Sequence, residues 1–222
     1  MPASSQREVV AARKQERLAF LMTPWFDKVV AAIAVVPFIW LTYVRLRAFG
    51  FDLPRAVFAI HLLVFIGTMI TRKTPVRVST NPWFWLLTFV ETYWGVLTFG
   101  VMSRGRPIAP HWATDSLAIL SVALVIWARL SLGRSIGLVP ALRTLVTHGA
   151  YRYVRHPIYS ATSLSIIAAA LNAYSPWNFA IFALGIFWFA LKSVVEESFL
   201  RSDPGYADYM RRVRWRWLPG IA

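Results

Sequence analysis

Apolar runs broken by short polar connections dominate the sequence, and six of them are candidate membrane helices: residues 29–46, 55–71, 83–102, 115–133, 158–173 and 176–194. Several fall below the roughly 20 residues that a straight helix needs to cross about 30 Å of hydrocarbon. The last two are separated only by a turn around residues 172–176 and read as a helical hairpin that penetrates or crosses. Pro54, Pro75, Pro82, Pro107, Pro110, Pro140, Pro157 and Pro176 sit at or near the expected helix ends, where a missing amide donor costs little. The pattern predicts an all-α chain, a polytopic transmembrane helix bundle of five to six spans.

Composition agrees. With 57% hydrophobic residues and a mean hydropathy of +0.51, 222 residues carry more apolar surface than one soluble core hides. Eleven tryptophans and eight tyrosines suit two membrane interfaces, where an amphipathic ring keeps one edge wet. The absence of cysteine excludes disulfides, thiolate metal sites and a Cys nucleophile. Four scattered histidines show no metal-ligand spacing, so no metal is expected.

A formal charge of +14 raises nucleic acid as a partner, but the basic residues are spread through nearly every connection and form no aromatic-studded stripe. Placing the N-terminus inside puts 19 of the 24 basic residues on the inner side, the asymmetry expected of cytoplasmic loops. This predicts six crossings, both termini cytoplasmic, and an integral protein of a bacterial inner membrane with lipids as its surroundings and no nucleic acid partner. It also brings residues 129–157 and 192–222 to the same face. Residues 1–24 have neither an apolar core nor a small-residue cleavage site and read as a retained basic cytoplasmic arm. The expected organisation is that arm, then transmembrane helices over 25–131, then a half over 132–222 that carries the chemistry.

Residues 132–161, LGRSIGLVPALRTLVTHGAYRYVRHPIYSA, form an aromatic and arginine-rich re-entry into the membrane, bounded by Gly149 and Pro157. Arg152 and Arg155 lie three apart, Tyr151 and Tyr159 bracket them, and His156 precedes the helix-starting proline. Guanidinium for a carboxylate, aromatic faces for a purine and imidazole for a hydroxyl would suit a nucleoside-bearing cofactor. The same residues equally suit an interfacial loop snorkelling to anionic headgroups.

A second polar group closes the last apolar run. Lys192 and Glu196 share a helix face, while Glu197 is turned by about 100°. Two adjacent carboxylates at a membrane boundary are costly unless a cation meets them. The plain alternative is an intrahelical Lys192–Glu196 pair with Glu197 in water. The Arg- and Trp-rich stretch 211–217 reads as an interfacial clamp.

In order, L-V-T-x-G-x-Y (145–151), R-H-P-x-Y (155–159), a lipophilic hairpin, E-E-x-x-L (196–200), Y-x-x-Y (206–209) and a late L-P (218–219) resemble the catalytic half of the isoprenylcysteine carboxyl methyltransferase family. That family includes bacterial integral membrane methyltransferases related to phospholipid methyltransferases. The resemblance implies an S-adenosylmethionine-dependent methyltransferase acting on a lipophilic small molecule or lipid, with a cytoplasmic-side cofactor pocket formed by the C-terminal half. It implies that Thr144, Leu145, Val146 and Tyr151 wrap the cofactor and that His156, Pro157, Ile158 and Tyr159 continue that wall. Glu196 would hold the ammonium end of S-adenosylmethionine, Glu197 would support it, and Arg155 would orient cofactor or acceptor. Lys192 would likewise orient acceptor or cofactor; it stands where eukaryotic members carry an arginine for the acceptor carboxylate, and an ammonium does not reproduce that planar fork. Ala161 replaces the glycine often found after R-H-P-x-Y-x. The acceptor stays open between a carboxylate, a phospholipid amine and a thiol; from another class, a non-catalytic membrane protein or transporter would lack cofactor affinity.

Glu91 and His61 fall inside apolar runs, where an ionisable side chain is a functional candidate. Outside the resembling half, they read as a buried structural contact, pairing with each other at similar depth. His111 and Asp115 mark a helix start, and His148 a solvated position.

Overall fold

The computed structural model describes residues 19–49, 53–99, 103 and 105–220; most of the expected basic arm, residues 1–18, lies outside them. Six long helices follow one another: α1 (Pro24–Phe49), α2 (Leu53–Thr71), α3 (Pro82–Phe99), α4 (His111–Leu132), α5 (Pro157–Asn172) and α6 (Pro176–Leu200). A short α7 (Pro204–Arg212) follows, and 3-10 turns cover Ala19–Met22, Gly133–Ser135 and Gly149–Arg152. The fold is that of a helical membrane protein. Among the described residues, Pro24–Val44, His111–Ser135 and Pro176–Leu200 are long and apolar enough to cross a bilayer, and Ile60–Thr71 is a shorter apolar stretch.

Prolines start helices as the pattern predicts. Pro157, Pro176 and Pro204 occupy the first turns of α5, α6 and α7, and Ser175 and Asp203 cap the latter two by accepting from the amides of Asn178 and Tyr206. Pro37 departs from this, lying within α1. Having no amide proton, it leaves the carbonyl of Ile33 without its helical donor, and the Tyr93 hydroxyl of α3 fills the vacancy at 2.5 Å.

Small residues let the helices approach closely. Ala31 and Ala34 of α1 are buried against Leu62, Phe65 and Met69 of α2, with Ile136 and Leu138 closing the cluster. α4 and α5 pack along Ala128, Ala161 and Ala168, and Ser121 donates to the carbonyl of Ala161 at 2.6 Å. The outer surface is apolar. Exposed Trp25 and Trp40 are 15 residues apart in α1, as are exposed Trp112 and Trp127 in α4. Both spacings correspond to about 22 Å of helix.

The connections segregate to two ends. At one, residues 103–110 meet the α5–α6 turn, where Asn178, fully buried, accepts from the Ser103 amide at 3.0 Å and donates to the Ala173 carbonyl at 2.8 Å. Every other described connection gathers at the opposite end. There β1 (Arg77–Val78) pairs antiparallel with β2 (Ala141–Leu142), with Arg77 opposite Leu142. Asp27 at the start of α1 takes Arg72 at 2.7 Å and Arg143 at 2.9 Å, all three buried. Residues 72–81, 133–157 and 192–217 therefore assemble at a single polar end, as the distribution of charge requires.

Candidate functional site

The site is built from the loop between α4 and α5, the start of α5 and the end of α6. Gly149 has φ 58°, which a side chain would strain, and it starts the turn that buries Tyr151. Ser131 of α4 secures that turn by accepting from the Ala150 amide at 3.2 Å, and the Tyr209 hydroxyl of α7 donates to the Tyr151 carbonyl at 2.8 Å. Burial, first among causes, holds the Tyr151, Tyr206 and Tyr209 hydroxyls well above the usual phenol range; at Tyr206 the Glu197 and Glu196 carboxylates add to it. These tyrosines stay protonated donors at any physiological pH.

Pro157 fixes the start of α5, and His156 then stacks on Tyr159 with centroids 5.2 Å apart and planes at 8°. The two adjacent glutamates divide their work. Glu196 accepts from the Tyr159 hydroxyl at 2.8 Å, and its carboxylate lies 3.8 Å from His156 Nδ1. Glu197, 1% exposed, accepts from Arg155 Nε at 2.7 Å, His156 Nε2 at 3.1 Å and Arg216 Nη2 at 2.8 Å. A carboxylate only accepts, so the His156 contact places the imidazole proton on Nε2.

Arg155 also gathers the tail. Its Nη1 donates to the carbonyls of Val213 at 2.9 Å and Arg214 at 2.6 Å, while the amides of Arg155 and His156 donate to Trp215 and Arg216, each at 2.9 Å. The Trp217 carbonyl accepts from Ser160 at 2.5 Å, and its indole donates to Ser193 at 3.3 Å. The stretch expected to clamp at the interface is thus pinned to the back of the site.

A cavity of about 540 Å³ opens at this end and runs inward between the helices. That volume suits a drug-sized ligand. Thr144, Leu145, Val146, Tyr151, Arg155, His156, Ile158, Tyr159, Lys192 and Glu196 all line it, so both sequence segments share one cavity. Pro157 and Glu197 do not line it; they support residues that do. His148 is exposed and His111 begins α4, as expected.

Three sequence readings change. Lys192 does not pair along its own helix with Glu196: its ammonium donates to Glu91 of α3 at 2.6 Å, both chains buried. Glu197 is not in water but enclosed by three basic groups, because α6 continues to Leu200 and turns that carboxylate inward. Glu91 takes Lys192 as its ion partner rather than His61, and both Glu91 and His61 line the cavity. Arg129 of α4, which belongs to none of the motifs, also lines the cavity. The signal available was an ionisable residue near an apolar run.

Residues 110–203 match the phospholipid methyltransferase family. This segment runs from α4 to the start of α7 and includes both glutamates. The whole chain is similar in fold to the solved eukaryotic intramembrane Ras methyltransferase, isoprenylcysteine carboxyl methyltransferase, determined without a monobody. The likeness has a TM-score of 0.50 at 21% identity and covers 100% of this chain and 88% of that one. No curated protein matches the sequence. The family match thus covers the segment that carries the site, and the likeness in fold extends over the whole chain.

Proposed function

We propose that the chain transfers a methyl group from S-adenosylmethionine to a lipophilic acceptor within the membrane. One observation carries the reading: Tyr151, His156 and Glu196, from segments about 40 residues apart, line the same cavity. A site that holds an aminoacyl nucleoside needs a carboxylate for the ammonium, an aromatic wall and a recess closed to bulk water. Glu196, whose carboxylate accepts from the Tyr159 hydroxyl and lies 3.8 Å from His156 Nδ1, supplies the first; the stacked His156–Tyr159 pair and buried Tyr151 supply the second. Leu145, Val146 and Ile158 add apolar lining to the recess.

When bound, the cofactor supplies an activated methyl on a sulfonium, and the protein contributes position and desolvation. Glu197 fixes Arg155 and His156, which keeps the aromatic wall in place. An anionic oxygen acceptor needs no base. The phospholipid methyltransferase match favours a second reading, a phospholipid amine, which would first lose a proton.

Incubation of the detergent-purified chain with methyl-labelled S-adenosylmethionine and a lipid extract, followed by identification of the product, tests the activity. Label in a lipid-soluble product is expected. Calorimetric affinity for S-adenosylmethionine should be lost in both Glu196→Ala and His156→Ala, and unchanged affinity in both variants would refute the placement.

A further inference from the structure

Asp27, in the first turn of α1, lies outside the family match and does not line the cavity, yet it is bonded to a residue that does. One of its carboxylate oxygens accepts from Arg143 Nη2 at 2.9 Å and the other from Arg72 Nε at 2.7 Å. All three side chains are buried, and among the described residues neither guanidinium has another carboxylate partner. A single negative charge therefore holds two positive ones out of water.

Arg143 stands between this anchor and the cavity. Its Nε donates to the Lys73 carbonyl at 2.9 Å, and its Nη1 is buried without a hydrogen-bond acceptor. Gly137 leaves room for it, since a Cβ there would lie 2.6 Å from Nη1. Thr144, Leu145 and Val146 follow Arg143 directly and line the cavity with it. Thr144 accepts from Lys73 Nζ at 3.0 Å. The preceding strand is tied to the α2–α3 connection as well, because β1 pairs with β2 and the carbonyls of Leu142 and Pro140 accept from the amides of Val76 at 2.8 Å and Ser79 at 2.9 Å. Residues 140–144 are thus held by the connection between α2 and α3, and Asp27 fastens both that connection and Arg143 to α1.

Loss of this charge would act unequally on its two partners. Without Asp27, Arg72 and Arg143 are like charges in a poorly hydrated place, and each is relieved by turning toward water. When Arg143 turns, the adjoining Thr144 and Leu145 move with it. Loss of Arg72 instead leaves Asp27 and Arg143 as a balanced pair, so the wall keeps its anchor.

We propose that Asp27 is a positioning residue for methyl transfer: acting through Arg143, it holds residues 143–146 against the cofactor, so that the first helix sets cofactor affinity. The inference rests on the methyl-transfer reading and adds to it a residue from outside the matched segment.

The test uses the full chain in detergent. Asp27→Asn keeps the shape and removes the charge, and calorimetric affinity for S-adenosylhomocysteine is expected to fall at least about tenfold. In the labelling assay with a lipid extract, KM for S-adenosylmethionine should rise in step while kcat at saturation stays within about threefold, since the chemistry is untouched. Arg72→Met breaks the other ion pair of the same carboxylate; it should also lower the melting temperature but leave affinity within about threefold. Linkage requires the converse in the wild type: if a held wall strengthens binding, bound S-adenosylhomocysteine must tighten the wall and slow amide exchange at Val76 and Ser79 by at least about threefold. Unchanged exchange at both amides overturns the proposal with no variant needed, as does unchanged affinity in Asp27→Asn. Equal losses of affinity in Asp27→Asn and Arg72→Met also overturn it, since Asp27 would then serve stability alone. A wild type that binds no S-adenosylhomocysteine removes the methyl-transfer reading itself, and this inference with it.

Discussion

Lys192 of α6 donates to Glu91 of α3 at 2.6 Å, joining residues 101 positions apart across the cavity. By helix rise both lie about 12–14 Å along their helices from the ends at Leu200 and Pro82. Neither charge reaches water: their side chains are 5% and 7% exposed. The pair ties α3, which lies outside the family match, to the helix that carries both glutamates of the site.

Removal of one partner strands the other, which costs about 3–5 kcal/mol for a buried pair, whereas replacement of both by apolar chains of similar size is often neutral. Glu91→Leu and Lys192→Met are each expected to destabilise the detergent-solubilised protein by that amount, and the double variant to recover most of it. A double-mutant cycle on unfolding free energies should give a coupling above about 2 kcal/mol. Additive single effects would show that the contact contributes nothing specific.

Glu197 is the second hub, and its loss should act on the tail. Arg155 and Arg216 both depend on its carboxylate, and Arg155 in turn holds the carbonyls of Val213 and Arg214. Glu197→Gln preserves shape but removes the counter-charge from two arginines, so residues 213–217 are expected to detach. Amide exchange at Arg155 and His156, whose protons go to Trp215 and Arg216, should rise by at least about tenfold, equivalent to about 1.4 kcal/mol of local opening. Cofactor affinity should fall with it, because His156 loses its anchor. Unchanged exchange at these two amides would show that the tail is held without Glu197.

How much of this was legible in the sequence follows from what each level of order depends on. Helices α3 and α5 fall within a few residues of the apolar runs because lipid contact requires continuous apolar sequence and proline marks the starts. α6 runs six residues past its expected end because Lys192 and Glu197 find partners inside the protein and so need not reach water. The gathering of the basic connections at one end was readable from charge alone. The partners were not: Lys192 with Glu91, and Asp27 with both Arg72 and Arg143, depend on which helices stand side by side. The role of residues 213–217 was hidden for another reason, since those contacts run largely through backbone carbonyls that any side chains would supply.

At the turn that buries Tyr151, backbone strain and crowding can be separated. Gly133 and Gly149 bracket the loop, with φ of 53° and 58°. Alanine at either position enters a region that L side chains avoid, at a cost of about 1–2 kcal/mol. At Gly133 a methyl group meets open space, so strain is the whole penalty. At Gly149 the methyl would also collide with the Ser131 side chain, the group that accepts from the Ala150 amide. Rotation of Ser131 clears only its hydroxyl and not its Cβ, so relief requires the turn to move away from α4, which breaks the bond to the Ala150 amide and loosens the turn from Gly149 to Arg152. Gly149→Ala is therefore expected to lower the melting temperature more than Gly133→Ala and, unlike it, to weaken S-adenosylmethionine binding, because Tyr151 moves with the turn. Ser131→Ala added to Gly149→Ala leaves the Ser131 Cβ in place and takes the acceptor from the Ala150 amide, so it should not return the melting temperature to that of Gly133→Ala. Calorimetry on the three variants checks both quantities, and equal behaviour of the two single variants would mean that Ser131 does not set the turn.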